Sequence, residues 1–595
     1  MAQTRTKAFF REKFRGAVSK VPERRLLFAL SLIVGVASGL AAVLLKLSIH
    51  WIGKGLTGWI PEGSPWRYLL LVLPGIGMLI ALLIVRYVIK DNISHGVTRV
   101  LRAVSKNDSR IKSHNCWSSL LTSAVTIGFG GSVGAEAPIV YTGAAIGSNL
   151  GRALGLSWRG TTLLLGCGAA GAVAGMFNAP LAGVLFTLEI LLFNISMTAI
   201  LPLLISTVSA TVVSYACLGR TPFLGAGAVD LGFSLSSLPY YIVLGIFCAA
   251  ISLYFIRVTL KMEDGLSRVH SPFLKWAVCA VALGLLIFLL PELYGEGYDG
   301  LRSLLSAEAS AGSPLLGGVS AAWIIPVYFL AVMLLKVLAM TFTNAGGGVG
   351  GTFGPTLVVG GIAGFVVASS LNLIRPDLVP QGSFVLVGMA GLMAGVMQAP
   401  MTAIFLIAEI SGGYSLLLPL IITSAVSYGC VRIFEKYSIY TKRLAQSGEL
   451  LTHDSDQAVL TLLKTSSLIE TDFTPVAIDA TLGSLVESVA ASHRNVFPVV
   501  DRKKRFQGYL TLEDIRHDMF KTELYNERHV FNYMHSAMEY VYPDESMDSV
   551  MGKFEKTGEW NLPVVDEGTR KYLGFVSKSK IFSAYRDSLR DFSQD

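Results

Sequence analysis

The chain has 595 residues, of which 52% are hydrophobic and only 15% are charged. A soluble globular protein carries about 25% charged residues, so this composition argues against a soluble protein and predicts one embedded in a lipid bilayer. The formal net charge of +8 does not indicate binding to nucleic acid, because much of it lies in the short segment before the first apolar run.

Apolar runs repeat along residues 26–445, and charged residues then return at the density of a soluble protein. We therefore predict a basic N-terminal segment (1–25), a transmembrane domain (26–445) and a soluble regulatory tail (446–595). The basic flank predicts that the N-terminus is cytoplasmic, and the C-terminal tail is expected on the same side. The expected location of this multi-pass protein is the plasma membrane, or the inner membrane if the source is bacterial.

Glycine clusters interrupt the apolar runs, at 128–134, 143–151, 166–175, 346–354 and 360–364. Glycine lets helices pack closely and lets a helix begin or end within the bilayer. Irregular backbone is tolerated there only inside protein or beside a polar cavity. The pattern therefore predicts broken helices around a polar site near the middle of the membrane.

Two motifs occur twice in the same order. The segment FNAPLAGVLFTLEI (177–190) matches MQAPMTAIFLIAEI (397–410) without a gap, and the turn GSVGAEAP (131–138) has a counterpart in GVGGTFGP (348–355). The offsets, 400 − 180 = 220 and 355 − 138 = 217, nearly agree, which indicates a duplicated half. Paired halves with interrupted helices are typical of inverted-repeat transporters, whose substrate site lies where the repeats meet.

Each glycine-rich turn ends in a proline that opens an apolar helix, and neither turn contains a basic residue. A helix that begins inside the bilayer directs unpaired N–H groups and the positive end of its dipole at whatever lies before it. Proline suits the first turn because it has no N–H to leave unpaired. Such a terminus binds an anion without a full cation, which allows a permeating ion to leave again.

Glu136 is the acidic residue of these two turns, and a carboxylate in an apolar stretch is costly and by default functional. Facing a helix N-terminus, it would occupy the place of the anion when ionised and leave it when protonated. Glu136 is thus a candidate gate and proton acceptor, although a helix cap is the alternative. For Glu189 and Glu409, at matching repeat positions, a structural role at a helix end or between the halves is at least as expected. Lys336, inside an apolar run, is expected to snorkel or to be paired.

Together these motifs resemble the CLC family of chloride channels and proton/chloride exchangers. GAEAP (134–138) matches the G-R-E-G-P segment of that family, with Glu136 as its gating glutamate, and GTFGP (351–355) matches G-x-F-x-P. The resemblance implies that Thr352 and Phe353 offer backbone N–H groups to the anion and that Tyr440 donates its hydroxyl to it. It also implies a homodimer with one pathway in each subunit.

Two positions depart from the family pattern. The G-S-G-I-P segment is matched only by SHGVT (94–98), so His95 stands where the anion-binding serine would be and Ser94 is one place off. Either the imidazole N–H donates to the anion, or His95 faces away and the backbone binds it. Ile190 stands where exchangers commonly carry a second glutamate, which favours a channel-like member.

The tail contains a second repeat, NVFPVVDRKKRFQGYLTLEDI (495–515) and WNLPVVDEGTRKYLGFVSKSKI (560–581). Each copy is predicted to form a strand, a turn, a strand and the start of a helix, and the pair resembles tandem CBS domains. CBS pairs often bind adenine nucleotides (ATP, ADP or AMP), and Thr511 and Asp514 of the first copy fit the ribose-binding pattern. The second copy has Ser577 and Lys580 instead, so a purely structural pair is equally expected.

The predicted fold is an all-α polytopic membrane domain with inverted-repeat halves and broken helices, followed by a C-terminal α/β CBS pair. The predicted function is passive or proton-coupled transport of chloride and similar small anions, gated by Glu136, with the channel-like branch favoured. A proton/anion antiporter for chloride or fluoride is one alternative, and a nucleotide-sensing membrane protein without transport is another. No catalytic residue, metal site or required cofactor is expected, because the sequence shows neither a nucleophile–base pair nor a metal-ligand spacing.

Overall fold

The computed structural model of the protein describes residues 23–58, 65–106, 109–191, 197–219, 235–305, 323–446, 463 and 465–593. The chain divides into two compact units, Met1–Leu450 and Leu451–Asp595. The predicted basic segment (1–25) lies almost entirely outside the described residues.

The described part of the first unit consists of helices joined by short turns. In chain order these are α1 (Glu23–Thr57), α2 (Leu73–Leu83), α3 (Gly96–Lys106), α4 (Ser118–Gly128), α5 (Glu136–Leu154), α6 (Trp158–Phe177), α7 (Pro180–Ile190), α8 (Met197–Leu218), α9 (Leu238–Ser267), α10 (Pro272–Leu289), α11 (Tyr298–Leu305), α12 (Ile324–Ala345), α13 (Phe353–Ile374), α14 (Gln381–Met397), α15 (Pro400–Ile410), α16 (Leu417–Phe434) and α17 (Ile439–Gln446). Within the described ranges, nine helical segments are long and apolar enough to cross a membrane.

The α10 helix shows what the outer surface of this unit faces. Its exposed apolar side chains recur every three or four residues along one side, at Leu274, Val278, Val281, Leu285 and Phe288. A continuous exposed apolar stripe of this kind is unfavourable in water and is expected where a helix contacts lipid.

The two predicted halves are built alike. The α6 helix ends at Phe177, Asn178 adopts the left-handed conformation (φ 58°), and Pro180 opens α7. The α14 helix ends in the same way, with Gln398 at φ 53° before Pro400. The offset between these breaks is 398 − 178 = 220. Each Ala-Pro motif therefore marks a helix break inside the apolar region, as predicted.

Close glycine contacts repeat at the same spacing. A Cβ atom on Gly143 of α5 would overlap the carbonyl oxygen of Gly168 on α6, and one on Gly360 of α13 would meet the carbonyl oxygen of Gly388 on α14 at 2.6 Å. Only glycine permits helices to approach this closely. Likewise α1 packs on α6 and α8 in the first half, and α9 packs on α14 and α16 in the second.

The halves are inverted relative to each other. The Glu189 carboxylate, near the end of α7, accepts hydrogen bonds from the first turn of α15, and the Glu409 carboxylate, near the end of α15, accepts them from the first turn of α7. The C-terminal end of each helix thus lies at the N-terminal end of the other. The membrane architecture predicted from the sequence, with inverted halves and broken helices, is confirmed.

The second unit contains two similar α/β copies. The first comprises β1 (Val476–Ala477), α18 (Leu482–Ala491), β2 (Val496–Val500), β3 (Phe506–Thr511) and α19 (Leu512–Ile515). The second comprises α20 (Met547–Thr557), β4 (Asn561–Val565), β5 (Tyr572–Ser577) and α21 (Lys578–Ser593). In the first copy β1 is parallel to β2, and β2 is antiparallel to β3. The β4 and β5 strands are also antiparallel.

The two copies of the tail agree in register as well as in order. Pro498 of β2 pairs with Tyr509, and Pro563 of β4 pairs with Phe575, with a bulge two residues further on in each hairpin. An aromatic cluster, in which the rings of Phe506 and Tyr572 stack at 5.8 Å, joins the two copies. The predicted strand, turn, strand and helix start is therefore found in both copies.

Candidate functional site

The two glycine-rich turns of the repeat meet directly. The Gly134 N–H donates to the carbonyl oxygen of Gly351 (3.1 Å), and the Gly351 N–H donates to that of Gly134 (2.7 Å). This antiparallel bridge brings the first turns of α5 and α13 together from opposite halves. The sequence repeat thus places Glu136 and Phe353, the first residues of these two helices, at one site.

The Glu136 side chain is buried, with 2% of its surface exposed. Its Oε2 accepts a hydrogen bond from the backbone N–H of Gly354 (3.1 Å), in the first turn of α13. Its Oε1 accepts one from the Tyr298 hydroxyl (2.5 Å). The carboxylate therefore lies at the N-terminus of the helix from the other half, where an anion would be bound.

Thr352 and Tyr440 lie together beside this helix N-terminus. The Thr352 hydroxyl donates to the Tyr440 hydroxyl (3.3 Å), and both residues are buried. The Phe353 ring is buried against Phe177 and Phe186, with ring centroids 5.5 Å and 6.0 Å apart. These contacts hold the first turn of α13 in position. That Thr352, Phe353 and Tyr440 bind an anion stays a prediction.

His95 and Ser94 lie at the start of α3, which packs against the first turn of α5. A Cβ atom on Gly96 would lie 2.5 Å from the carbonyl oxygen of Ala137, so the two helix starts approach closely. The Ser94 hydroxyl donates its proton to the side-chain oxygen of Asn92 (2.8 Å), so this proton is used within the loop. His95 is half-buried and has a left-handed backbone (φ 55°). The roles predicted for these two residues stay predictions.

Ile190, at the end of α7, is buried with 4% of its surface exposed. Its neighbour Glu189 accepts hydrogen bonds from the N–H groups of Met401 (3.0 Å) and Thr402 (2.7 Å) and from the Thr402 hydroxyl (2.6 Å). Glu409 likewise accepts from the N–H groups of Leu181 (3.0 Å) and Ala182 (2.9 Å). These two glutamates therefore join the halves. The carboxylate of Glu189, the residue before Ile190, is engaged in these hydrogen bonds.

Sequence reasoning missed the segment GEGYDG (295–300), which comprises the turn before α11 and the first residues of that helix and is called the turn below. Tyr298 comes from this turn, and so does Glu296, whose Oε1 accepts the N–H of Ala135 (3.0 Å). Lys336 on α12 is fully buried and donates to the Gly295 carbonyl oxygen (2.8 Å), so it is paired and does not snorkel. The sequence feature that could have indicated this segment is a third glycine-rich turn with an acidic residue in an otherwise apolar region.

An open cavity of about 1190 Å³ leads to this turn. Polar side chains around it come from α1, from the turn and from α11, among them Lys46, Lys54, Glu296, Tyr298 and Arg302. The charged lining is balanced, because it has three cations and three carboxylates: Lys46, Lys54, Arg302, Glu292, Glu296 and Asp299. No group of side chains suited to a metal ion occurs within the described part of the chain.

In the tail, Thr511 and Asp514 form a capping box at the start of α19. Oδ2 of Asp514 accepts the backbone N–H (2.7 Å) and the hydroxyl (2.8 Å) of Thr511, and Oδ1 lies 2.8 Å from Nε2 of His535. In the second copy the Ser577 hydroxyl instead contacts the Glu470 carboxylate and accepts the N–H of Lys580 (3.1 Å). A nucleotide role for Thr511 and Asp514 stays a prediction.

Comparison with known proteins agrees with this architecture. A family model described as "Voltage gated chloride channel" matches residues 76–432, and a model of the CBS domain matches 466–521 and 530–587. The first match alone covers more than half of the chain. The fold and the matched families define a multi-pass membrane protein of anion transport with a tandem CBS region. The chain belongs to the voltage-gated chloride channel family, the CLC family.

The names of related proteins and solved structures of this family differ in the anion that they state. The H(+)/Cl(-) exchange transporter ClcA of Salmonella arizonae is 26% identical over 457 residues, which cover 74% of this chain and 91% of ClcA. The structure of a slow cyanobacterial Cl−/H+ antiporter has a TM-score of 0.61 at 22% identity and covers 72% of this chain and 98% of the antiporter. A CLC-type fluoride/proton antiporter has a TM-score of 0.57 at 23% identity, covering 70% of this chain and 97% of that one.

Proposed function

We propose that this protein moves chloride and similar small anions across the membrane through a pathway gated by Glu136 in each subunit. The observation that carries the proposal is the position of the Glu136 carboxylate, which is bound by the Gly354 N–H at the N-terminus of α13. An ionised carboxylate there competes with a permeating anion for the same donors. When it is protonated it loses its attraction to the helix end and leaves the position to the anion.

Within the family, we propose the channel-like branch. Ile190 supports it, because an aliphatic side chain at the end of α7 can neither bind nor release a proton. The second candidate is a proton/anion antiporter, favoured by relatives that are named as exchangers. Fluoride is kept as a candidate anion, because His95 replaces the serine of the usual family segment and one structural neighbour is a fluoride/proton antiporter.

Simultaneous measurement of anion and proton movement in liposomes separates these candidates. For the channel-like branch we expect chloride efflux that drives no proton movement, whereas a fixed ratio of protons to chloride would refute it. Glu136→Gln keeps the size of the side chain and removes its charge, so we expect chloride efflux that no longer depends on pH. Efflux of unchanged rate and pH dependence in this variant would remove Glu136 from the mechanism. Fluoride and chloride electrodes on the same liposomes give the anion preference.

We further propose that the protein is a homodimer in the plasma membrane, or the inner membrane of a bacterium, with both termini in the cytoplasm. Light scattering of the purified protein in detergent is expected to give twice the mass of the chain. Cysteine labelling from either side of the membrane tests the orientation. No enzymatic activity is proposed.

For the tail we propose that an adenine nucleotide binds the CBS pair near Thr511 and Asp514. Thermal unfolding of the full-length protein with ATP, ADP and AMP measures this, and Asp514→Asn is expected to abolish any stabilisation. Absence of stabilisation by all three nucleotides would support a purely structural pair. Nucleotide binding without any anion flux would instead support the nucleotide-sensing protein of the third alternative.

A further inference from the structure

The turn between α10 and α11 brings a second carboxylate to the gating glutamate. Tyr298 of this turn donates to Glu136. Two residues earlier, Glu296 accepts the N–H of Ala135, the residue directly before Glu136. The Glu296 carboxyl group is therefore hydrogen-bonded to the residue that precedes Glu136. Burying two carboxylates side by side is unfavourable when both are ionised, so the charge of one depends on that of the other.

The groups that act on Glu296 come from three helices and its own turn. They are Lys46 from α1, Glu136 from α5, Lys336 from α12 and, within the turn, Tyr298. Lys336 is fixed in place, because it is fully buried and donates to the carbonyl oxygen of Gly295. The two lysines favour a negative charge on Glu296, whereas Glu136 has neutral donors, the Gly354 N–H and the Tyr298 hydroxyl.

The two carboxylates also differ in their access to water. Glu296 is half-buried and lines the open cavity of about 1190 Å³. Glu136 is only 2% exposed and does not line the cavity, whereas Glu296 and Tyr298 of the turn do. Of these two lining residues, Glu296 carries the group that readily binds and releases a proton, because the ordinary pKa of a carboxyl group is far below that of a phenol.

We propose that Glu296 and Glu136 titrate as a pair, and that Glu296 is the member through which the pair exchanges its proton with the open cavity. The proton leaves the carboxyl group of Glu136, binds the carboxylate of Glu296 and passes from there to water, so no other reactant is needed. This inference rests on the proposed function, in which protonation of Glu136 frees the anion site.

The test is the pH dependence of chloride efflux from liposomes that contain the full-length protein, with the same pH on both sides. Glu296→Gln removes a negative charge beside Glu136 and leaves the two lysines without their acidic partner. Ionised Glu136 is then easier to form, so we expect the pH of half-maximal efflux to fall by about one unit. The glutamine oxygen can still accept the Ala135 N–H, so the fold is expected to survive, which gel filtration and thermal unfolding check.

Asp299→Asn is the matched control, because Asp299 lines the same cavity but its side chain is 97% exposed. We expect the pH of half-maximal efflux of this variant to equal that of the wild type. The role of Glu296 would be overturned if the pH of half-maximal efflux were the same in Glu296→Gln, Asp299→Asn and the wild type, provided that Glu136→Gln abolishes the pH dependence. If Glu136→Gln leaves the pH dependence of wild-type efflux intact, or if wild-type efflux has none, the proposed gate fails together with this inference.

Discussion

Tyr298→Phe is the sharpest test of how the Glu136 carboxylate is held. The substitution removes only the hydroxyl that donates to Oε1 of Glu136 at 2.5 Å, and it keeps the buried ring. A hydrogen bond to a charged group contributes about 1.5–3 kcal/mol. Since about 1.4 kcal/mol corresponds to a factor of ten, the equilibrium between the bound and the withdrawn carboxylate should shift roughly 10- to 100-fold towards the withdrawn form.

The assay is the initial rate of chloride efflux from liposomes at a pH where wild-type efflux is well below its maximum. We expect faster efflux for Tyr298→Phe. Tyr294→Phe is the matched control, because Tyr294 lines the same cavity and its buried hydroxyl has no hydrogen-bond partner among the described residues. Equal rates for Tyr298→Phe, Tyr294→Phe and the wild type would refute the view that this hydrogen bond holds the gate closed.

Three further substitutions test the framework. Gly143→Ala places a methyl group into the carbonyl oxygen of Gly168, so we expect a loss of correctly folded protein on gel filtration and a thermal unfolding midpoint lower by several degrees. Glu409→Ala leaves the first N–H groups of α7 without their carboxylate partner in the apolar membrane domain, and we expect destabilisation of about 2–4 kcal/mol, measured by unfolding in detergent. Burial raises the pKa of Asp514, but the hydrogen bond with His535 and those from its capping partner outweigh it and hold the pKa below its ordinary value of 3.8. The contribution of Asp514 to stability is present above that value and is lost as the pH falls through the lower folded-state pKa. Asp514→Asn should therefore flatten the loss of tail stability below about pH 4, which hydrogen exchange of residues 506–535 in the full chain measures.

Controls for these substitutions lie in the same chain. Gly429→Ala is expected to be neutral, because a methyl group there meets no atom within 4 Å. Asp299→Asn removes an exposed carboxylate and should leave the unfolding free energy unchanged, in contrast to Glu409→Ala. For the tail, equal loss of protection in Asp514→Asn and wild type as the pH falls would show that the bonds of Asp514 do not stabilise the folded state.

The repeat explains why much of this architecture was predictable. The Ala-Pro breaks at Pro180 and Pro400 follow from local chemistry, because proline cannot continue the preceding helix and readily begins the next. The site at Glu136 follows from the cost of a carboxylate in apolar sequence. Tyr298 and Glu296 were missed because their turn lies about 160 residues from Glu136 in sequence, and no local pattern indicates which distant turn will pack there. The hydrogen bonds of Lys336 go to backbone carbonyl oxygens, which leave no trace in the sequence.

Three carboxylates in this fold lie at the N-terminus of a helix from the opposite half, and comparing them explains why one of them suits a gate. Glu189 accepts three hydrogen bonds, two from backbone N–H groups and one from a hydroxyl, all within the first turn of α15. Glu409 accepts two from backbone N–H groups. Glu136 accepts one N–H from the opposite half, that of Gly354, and the hydroxyl of Tyr298. Each such bond contributes about 1.5–3 kcal/mol, so Glu189 and Glu409 are each linked to the opposite helix by at least two of them. Glu136 is joined to the opposite helix by one such bond, so fewer bonds to that helix have to break when Glu136 is protonated and an anion takes its place.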